Sequence, residues 1–219
     1  VNALPAHVHH DMSPALAKVV HCAISVYSNA GRVFDVACGP VVHFAKKFLL
    51  DPANKGKDYH KDPAFAELLP ISTLPGGFRI SENQISIQKR DSRALLDLGG
   101  IAKGFTVDHI IDALIERGYT NCFFDWGGDC RGHGRNAKGA LWAVAILQPP
   151  EVATLKARDV NVKASNQDQE SAPILRVMYL DNEALATSGD YENLFHGNDG
   201  KLYTTNWNPR LNRIQRPVH

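Results

Sequence analysis

Three glycine-marked turns each follow an apolar run, and each carries an acid. They read Asp97-Leu98-Gly99-Gly100-Ile101-Ala102-Lys103-Gly104, Asp125-Trp126-Gly127-Gly128-Asp129 and Thr187-Ser188-Gly189-Asp190-Tyr191-Glu192. Glycine admits positive φ and lets backbone come close to a ligand. Free N–H groups at the start of the helix after Gly104 attract anions, and Lys103 adds a positive charge beside them. A single such turn is ordinary; three in one chain point to a small molecule bearing phosphate. The glycines spell neither a Walker A loop nor a G-x-G-x-x-G fingerprint, and there is no G-x-S-x-G elbow. The residues alone therefore reach a phosphate ligand, with or without a divalent ion.

Those turns need elements to hold them. "SPALAKVVHCAISVYSNAG" opens with Ser13 as N-cap and Pro14 at the first helical position. Leu16, Val19, Val20, Ala23, Val26 and Tyr27 recur at helical spacing as far as Gly31. Pro40 starts a second helix, a polar loop covers 51–63, and "PAFAELL" makes a short helix. "GGFRISENQISIQKR" alternates around Glu82-Asn83-Gln84 and predicts a hairpin with Phe78, Ile80, Ile85 and Ile87 on its apolar face. "ALLDL" predicts a strand, and residues 105–117 a helix closed by Gly118. "NCFFDWGG" and "ALWAVAIL" predict strands joined by a loop, with a surface excursion over 149–172. "ILRVMYLDNEALATSG" predicts two strands around Asp181-Asn182. Helices and strands do not alternate regularly, which places the fold in the α+β class.

Composition narrows the function classes. The chain has 219 residues, 44% hydrophobic and 21% charged, with a formal net charge of +1. That balance gives no bias towards nucleic acid or an anionic membrane. No apolar run is long enough to span a bilayer, and "VNALPAHVHH" has no signal-peptide pattern. Cys22, Cys38, Cys122 and Cys130 form no C-x-x-C pair. They are expected to be buried free thiols, which favours an intracellular, reducing compartment. His7, His9 and His10 are expected in a solvated loop rather than at a metal.

The stretch "DLGGIAKGFTVD" resembles the signature of the ApbE family, magnesium-dependent flavin transferases that split FAD and attach FMN to a Thr or Ser of a flavoprotein. "GRVFDVACGPVV" is similar to the family's G-x-F-D-x-x-x-G-P-L, "FFDWGGD" to its N-x-G-G-D, and "LATSGDYE" to its A-T-S-G-D-Y-E. The resemblance implies an α+β architecture related to the T-fold, formed by residues 1–219 as one domain with elements missing at both ends. It places Val33, Phe34, Asp35, Asp97 and Lys103 against FAD, with Thr187, Ser188 and Gly189 lining the pocket. Asn2 matches an Asn/Tyr position near the flavin. Gly100 falls where a backbone carbonyl ligates Mg2+, which would neutralise the pyrophosphate and the charge on the departing AMP. The start of the chain is similar to the flavin-transferase-like domain of protist NADH-dependent fumarate reductases. The implied partner is a flavoprotein acceptor domain, in another protein or in the same polypeptide.

Two departures stand beside the resemblance. After Tyr203 the family reads H-H-I-I-D-P-x-T-G, and its second His is the proposed base. Here Thr205 holds that position and Asn208 replaces the Asp. A Thr hydroxyl is no general base near neutral pH, and losing such a group costs about 10²–10⁴ in rate. The family's downstream D-x-x-x-T, which supplies magnesium ligands, does not follow Asn208. The expectation is an FAD-binding domain that transfers FMN if active, the alternative being a degenerate, non-catalytic FAD-binding domain of a multidomain redox flavoprotein. Asp97, Lys103 and the T-S-G-D-Y-E run argue against a pure interaction domain.

Overall fold

The computed structural model describes residues 1–83, 85–148, 173–189 and 194–216. The chain divides into two units, Val1–Gly100 with Asn193–Val218, and Ile101–Glu192.

In the first unit His7 lies in the expected exposed loop, whereas His9 and His10 belong to a strand. β1 (His9–Asp11) pairs antiparallel with β3 (Ser86–Lys89), whose other edge takes β2 (Phe78–Ile80). The expected β2–β3 hairpin forms with Ile80 opposite Ile87. Ile85 does not join it and is 54% exposed. The Asn83 side chain accepts the Ile85 N–H at 3.3 Å, so the turn claims that residue.

α1 (Pro14–Asn29) starts as its sequence dictates: Ser13 Oγ accepts the Leu16 N–H at 3.3 Å. It buries Val19, Val20 and Ala23. Cys22 is exposed, contrary to expectation, because it lies about 100° round the helix from buried Ala23. Cys38 and Cys122 are half-buried, and Cys130 alone of the four is fully buried.

α2 (Gly39–Leu50) has Pro40 in its first turn and buries Val41, Val42, Ala45, Phe48 and Leu49. The loop expected over 51–63 contains two 3₁₀ turns, Pro52–Asn54 and Tyr59–Lys61, each N-capped by an Asp side chain. The second turn buries Tyr59, whose hydroxyl accepts the Ile214 N–H at 3.2 Å. α3 (Pro63–Leu68) adds Phe65 to the same core, and α4 (Leu74–Gly77) leads into β2. The core is completed from far along the chain by Phe195, Tyr203 and Ile214. These belong to two short antiparallel pairs, β9 (Phe195–His196) with β10 (Leu202–Tyr203), and β11 (Trp207–Asn208) with β12 (Arg213–Ile214).

In the second unit α5 (Ala102–Glu116) begins earlier than the helix expected at 105, so Gly104 lies inside its first turn. Gly118, at φ +89°, donates its N–H to Ile115 as the closing residue. β4 (Cys122–Trp126) forms as expected, but the segment taken for a loop contains β5 (Asp129–His133), paired antiparallel with β4. Gly127 and Gly128, at φ +59° and +88°, supply the left-handed turn that a tight hairpin requires. Arg131 then ties β5 to α5, reaching Asp108 at 3.2 Å and Asp112 at 2.9 Å, one helical turn apart. β6 (Trp142–Leu147) pairs with β7 (Ile174–Leu180), and β8 (Ala184–Leu185) pairs with the free edge of β5. The excursion expected over 149–172 lies outside the described residues.

Candidate functional site

In the first unit, Asp97 sits on a segment that the sequence marks as a strand. Residues 94–98 form none. Their backbone is held singly: Asp97 donates its N–H to the Val36 carbonyl at 2.6 Å. The Asn2 carboxamide takes the Leu96 N–H at 2.8 Å and donates to the Leu96 carbonyl at 2.9 Å. It does for one residue what a neighbouring strand would do, and a side chain cannot extend that ladder. Buried Lys89 secures the clamp, its Nζ donating to the Asn2 carbonyl at 3.0 Å and the Ser92 carbonyl at 2.7 Å.

Asp97 itself is exposed and closes its own turn by accepting the Gly99 N–H at 2.9 Å. A Cβ on Gly100 would stand 3.0 Å from Phe34 Cε2, so the Phe34 ring lies against bare backbone. Asp35 has both carboxylate oxygens on backbone, accepting Ala37 N–H at 2.9 Å and Leu74 N–H at 3.1 Å. Burial raises its pKa above the usual carboxylate value, and those two bonds oppose the rise. Cys38, at the N-cap of α2, is pushed up to about 12 by burial and then by the charges of Asp97 and Asp35.

Val33 is exposed and lines a cleft of about 240 Å³ with Trp207, Asn208, Pro209, Arg210 and Gln215. Thr205 is half-buried beside it in sequence. Its neighbour Thr204 is fully buried, accepting the Asn206 N–H at 3.0 Å and donating to the Gln215 carbonyl at 3.3 Å. Asn208 uses its Oδ1 to accept the Arg210 and Leu211 N–H groups, closing the β11–β12 turn. Sequence reasoning passed over Trp207 and Gln215. The one available signal was a large aromatic residue in the otherwise polar "TTNWNPR".

In the second unit, Lys103 is the second residue of α5. Its Nζ donates to the Gly127 carbonyl at 3.2 Å and lies 3.5 Å from the Asp129 carboxylate. The helix start has no side-chain cap and no acid in its first turn, so its N–H groups keep their attraction for an anion. Two of the three glycine turns are thus joined through Lys103. Thr187 meets the second of them: its Oγ1 would be 3.4 Å from a Cβ on Gly128. Ser188 is exposed and Gly189 half-buried, while Asp190, Tyr191 and Glu192 lie outside the described residues.

Among the described residues no group of three or more His, Cys, Asp or Glu is placed to hold a metal ion. Magnesium demands near-octahedral oxygen ligation. The Gly100 carbonyl would supply one oxygen of such a shell, the rest coming from other oxygen ligands. Among the described residues no helix is long and apolar enough to cross a membrane.

The sequence model of the ApbE family matches residues 1–215. An FAD:protein FMN transferase of Haemophilus influenzae is 28% identical over 204 residues, covering 91% of this chain and 52% of its own length. One from Vibrio cholerae is 28% identical over 197 residues, covering 89% and 51%. The chain spans about half the length of the curated relatives it matches. The apo flavinyl transferase ApbE of Pseudomonas stutzeri superimposes with a TM-score of 0.67 at 22% identity, covering 100% of this chain and 58% of that one. The ApbE protein of Thermotoga maritima gives 0.69 at 19% identity, covering 98% and 60%. At such identities the superpositions establish the shared mixed helix-and-sheet fold.

Proposed function

The chain belongs to the ApbE family, and on that premise we propose that it binds FAD and transfers the FMN half to a Thr or Ser of a flavoprotein acceptor. The curated relatives are named FAD:protein FMN transferases. The observation that carries the reading here is the seat of Lys103: an ammonium held by Gly127 and Asp129 on the first turn of an uncapped helix. A phosphate oxygen would compete with that carbonyl and carboxylate for the ammonium, and the free helix N–H groups favour an anion there.

The transfer balances simply. The acceptor hydroxyl oxygen attacks the phosphorus of the FMN half, the bond to the bridging oxygen breaks, and AMP leaves with the electron pair. Lys103 and the start of α5 stabilise charge on the phosphate oxygens as it grows. The hydroxyl proton must pass to a base, and Thr205 is not one. Mg2+ held in part by the Gly100 carbonyl would neutralise pyrophosphate charge when bound. Thr205 is also what favours the second reading, an FAD-binding domain without turnover, retained in a larger redox flavoprotein that supplies the acceptor in the same polypeptide.

Titrating FAD by its fluorescence, with mass spectrometry for AMP, tests both readings. Saturable binding that weakens about tenfold or more in Lys103→Ala, with AMP release on adding an acceptor, supports the transferase. Binding without AMP release leaves the second reading, and Thr205→His should then raise AMP release. No binding defeats both.

A further inference from the structure

The 3₁₀ turn at Tyr59–Lys61 holds the β11–β12 hairpin at two points. Tyr59 is buried, and its hydroxyl accepts the Ile214 N–H at 3.2 Å. His60 reaches the hairpin's turn: its Nε2 lies 3.0 Å from the Asn212 carbonyl oxygen, 152 residues along the chain. Its Nδ1 lies 2.8 Å from Asp58 Oδ1, which also accepts the His60 backbone N–H at 3.0 Å. Those hydrogen bonds hold the Asp58 carboxyl below its ordinary pKa, so it faces the ring as a carboxylate. Both ring nitrogens therefore meet oxygens that can only accept. Neutral imidazole has one N–H and satisfies one of them; imidazolium has two and satisfies both.

Its neighbours fix the ring in place. Tyr59 stacks on it with centroids 4.2 Å apart, and Phe65 of α3 meets it edge-on at 5.5 Å. From α2, Phe48 packs against Tyr59. Among the described residues Asp58 is the one acid within 4.0 Å of the ring. Lys61 follows it in the turn, Asp62 caps α3, and Arg213 follows Asn212. Asn212 itself is at φ +46°, an uncommon conformation for a residue other than glycine. We propose that His60 is a proton-operated latch on the β11–β12 hairpin, closed as imidazolium and released at Asn212 when the ring loses its proton. In the neutral ring the proton stays on Nδ1, because a carboxylate is a stronger acceptor than a carbonyl. Nε2 then turns a lone pair to the Asn212 oxygen, and that tie is lost. The Tyr59 tie persists, since burial raises the Tyr59 pKa above its ordinary 10. The hairpin stays anchored at Ile214 while its turn is freed. It carries Trp207, Pro209 and Arg210, which line the cleft beside Val33. Acid therefore fixes that wall, and it loosens as pH rises through about 5 to 8, where imidazole loses its charge.

NMR on the whole chain between about pH 5 and 8 reads the latch directly. The His60 ring should titrate, and the Arg213 amide, whose nitrogen is bonded to the Asn212 carbonyl carbon, should move with the same midpoint. The Trp207 indole N–H should follow. Once the intrinsic pH dependence is divided out, exchange of the Leu211 amide should quicken about threefold to tenfold as the ring loses its proton. His60→Gln presents an NH2 donor at every pH and should make these readouts flat. His60→Phe keeps the stacking, removes both bonds, and should hold Arg213 and Trp207 at their high-pH positions throughout. A His60 ring that titrates while Arg213 and Trp207 stay flat overturns the inference. So does a ring with no titration in that window, or a Trp207 transition that survives in His60→Phe.

Discussion

Replacing Asp35 by alanine separates two roles for its carboxylate. Family resemblance sets the residue against the flavin nucleotide, whereas in the structure both oxygens accept backbone N–H bonds, at 2.9 Å and 3.1 Å. Hydrogen bonds to a charged group contribute about 1.5–3 kcal/mol each, and two on one carboxylate are not additive. Burial opposes them, which is why the pKa lies above 3.8. The expected loss in Asp35→Ala is about 2–4 kcal/mol. Asp35→Asn keeps one acceptor oxygen and should lose about half as much. Urea unfolding followed by circular dichroism reads both variants.

The pH dependence carries the sign. A carboxyl whose native pKa is raised binds its proton more tightly when folded than unfolded. Its contribution to stability therefore falls as pH rises from the unfolded value, 3.8, through the raised native one, and is level above. That decline should be absent in Asp35→Ala. A variant that unfolds at the wild-type urea concentration with the wild-type pH profile, yet loses FAD binding, would refute the structural role and restore the ligand contact.

Lys89→Met strands the Asn2 and Ser92 carbonyls in a site where Lys89 is 2% exposed. It should cost about 2–4 kcal/mol in urea unfolding, and an unchanged midpoint would show that the clamp contributes nothing. Gly134→Ala combines φ +68° with a Cβ that would clash with the Thr120 carbonyl oxygen. A loss of at least about 2 kcal/mol is expected by thermal unfolding, and a wild-type melting curve would contradict the backbone placement. Timed alkylation with iodoacetamide near pH 8, read by mass spectrometry, should modify exposed Cys22 first. Cys38, held at about 12 by burial and two carboxylates, should lag far behind; equal labelling of the two would overturn that environment.

The helices were legible because their signals are local. Ser13 and Pro14 start α1, Pro40 lies in the first turn of α2, and Gly118 closes after α5, each within a few residues of the backbone it satisfies. β5 was illegible because "DCRGH" has no strand composition. It becomes a strand because the Gly127-Gly128 turn folds it onto β4 and β8 covers its other edge. The segment at 94–98 misled in the opposite direction: strand-like residues found a single carboxamide where a strand partner was needed.

Sequence alone determined which turns carry glycine and acid, and in what order. Those are facts of residue type and spacing along the chain. Tertiary structure alone decided what each side chain faces. It set the Asp35 carboxylate on Leu74, 39 residues away, and the Asn2 amide on Leu96, 94 residues away. It also brought Lys103 to Gly127 across 24 residues and buried Gln215 Nε2 without a hydrogen-bond partner among the described residues. Partners so distant in sequence meet only after long loops close, and closure depends on the packing of every element between them rather than on any local pattern.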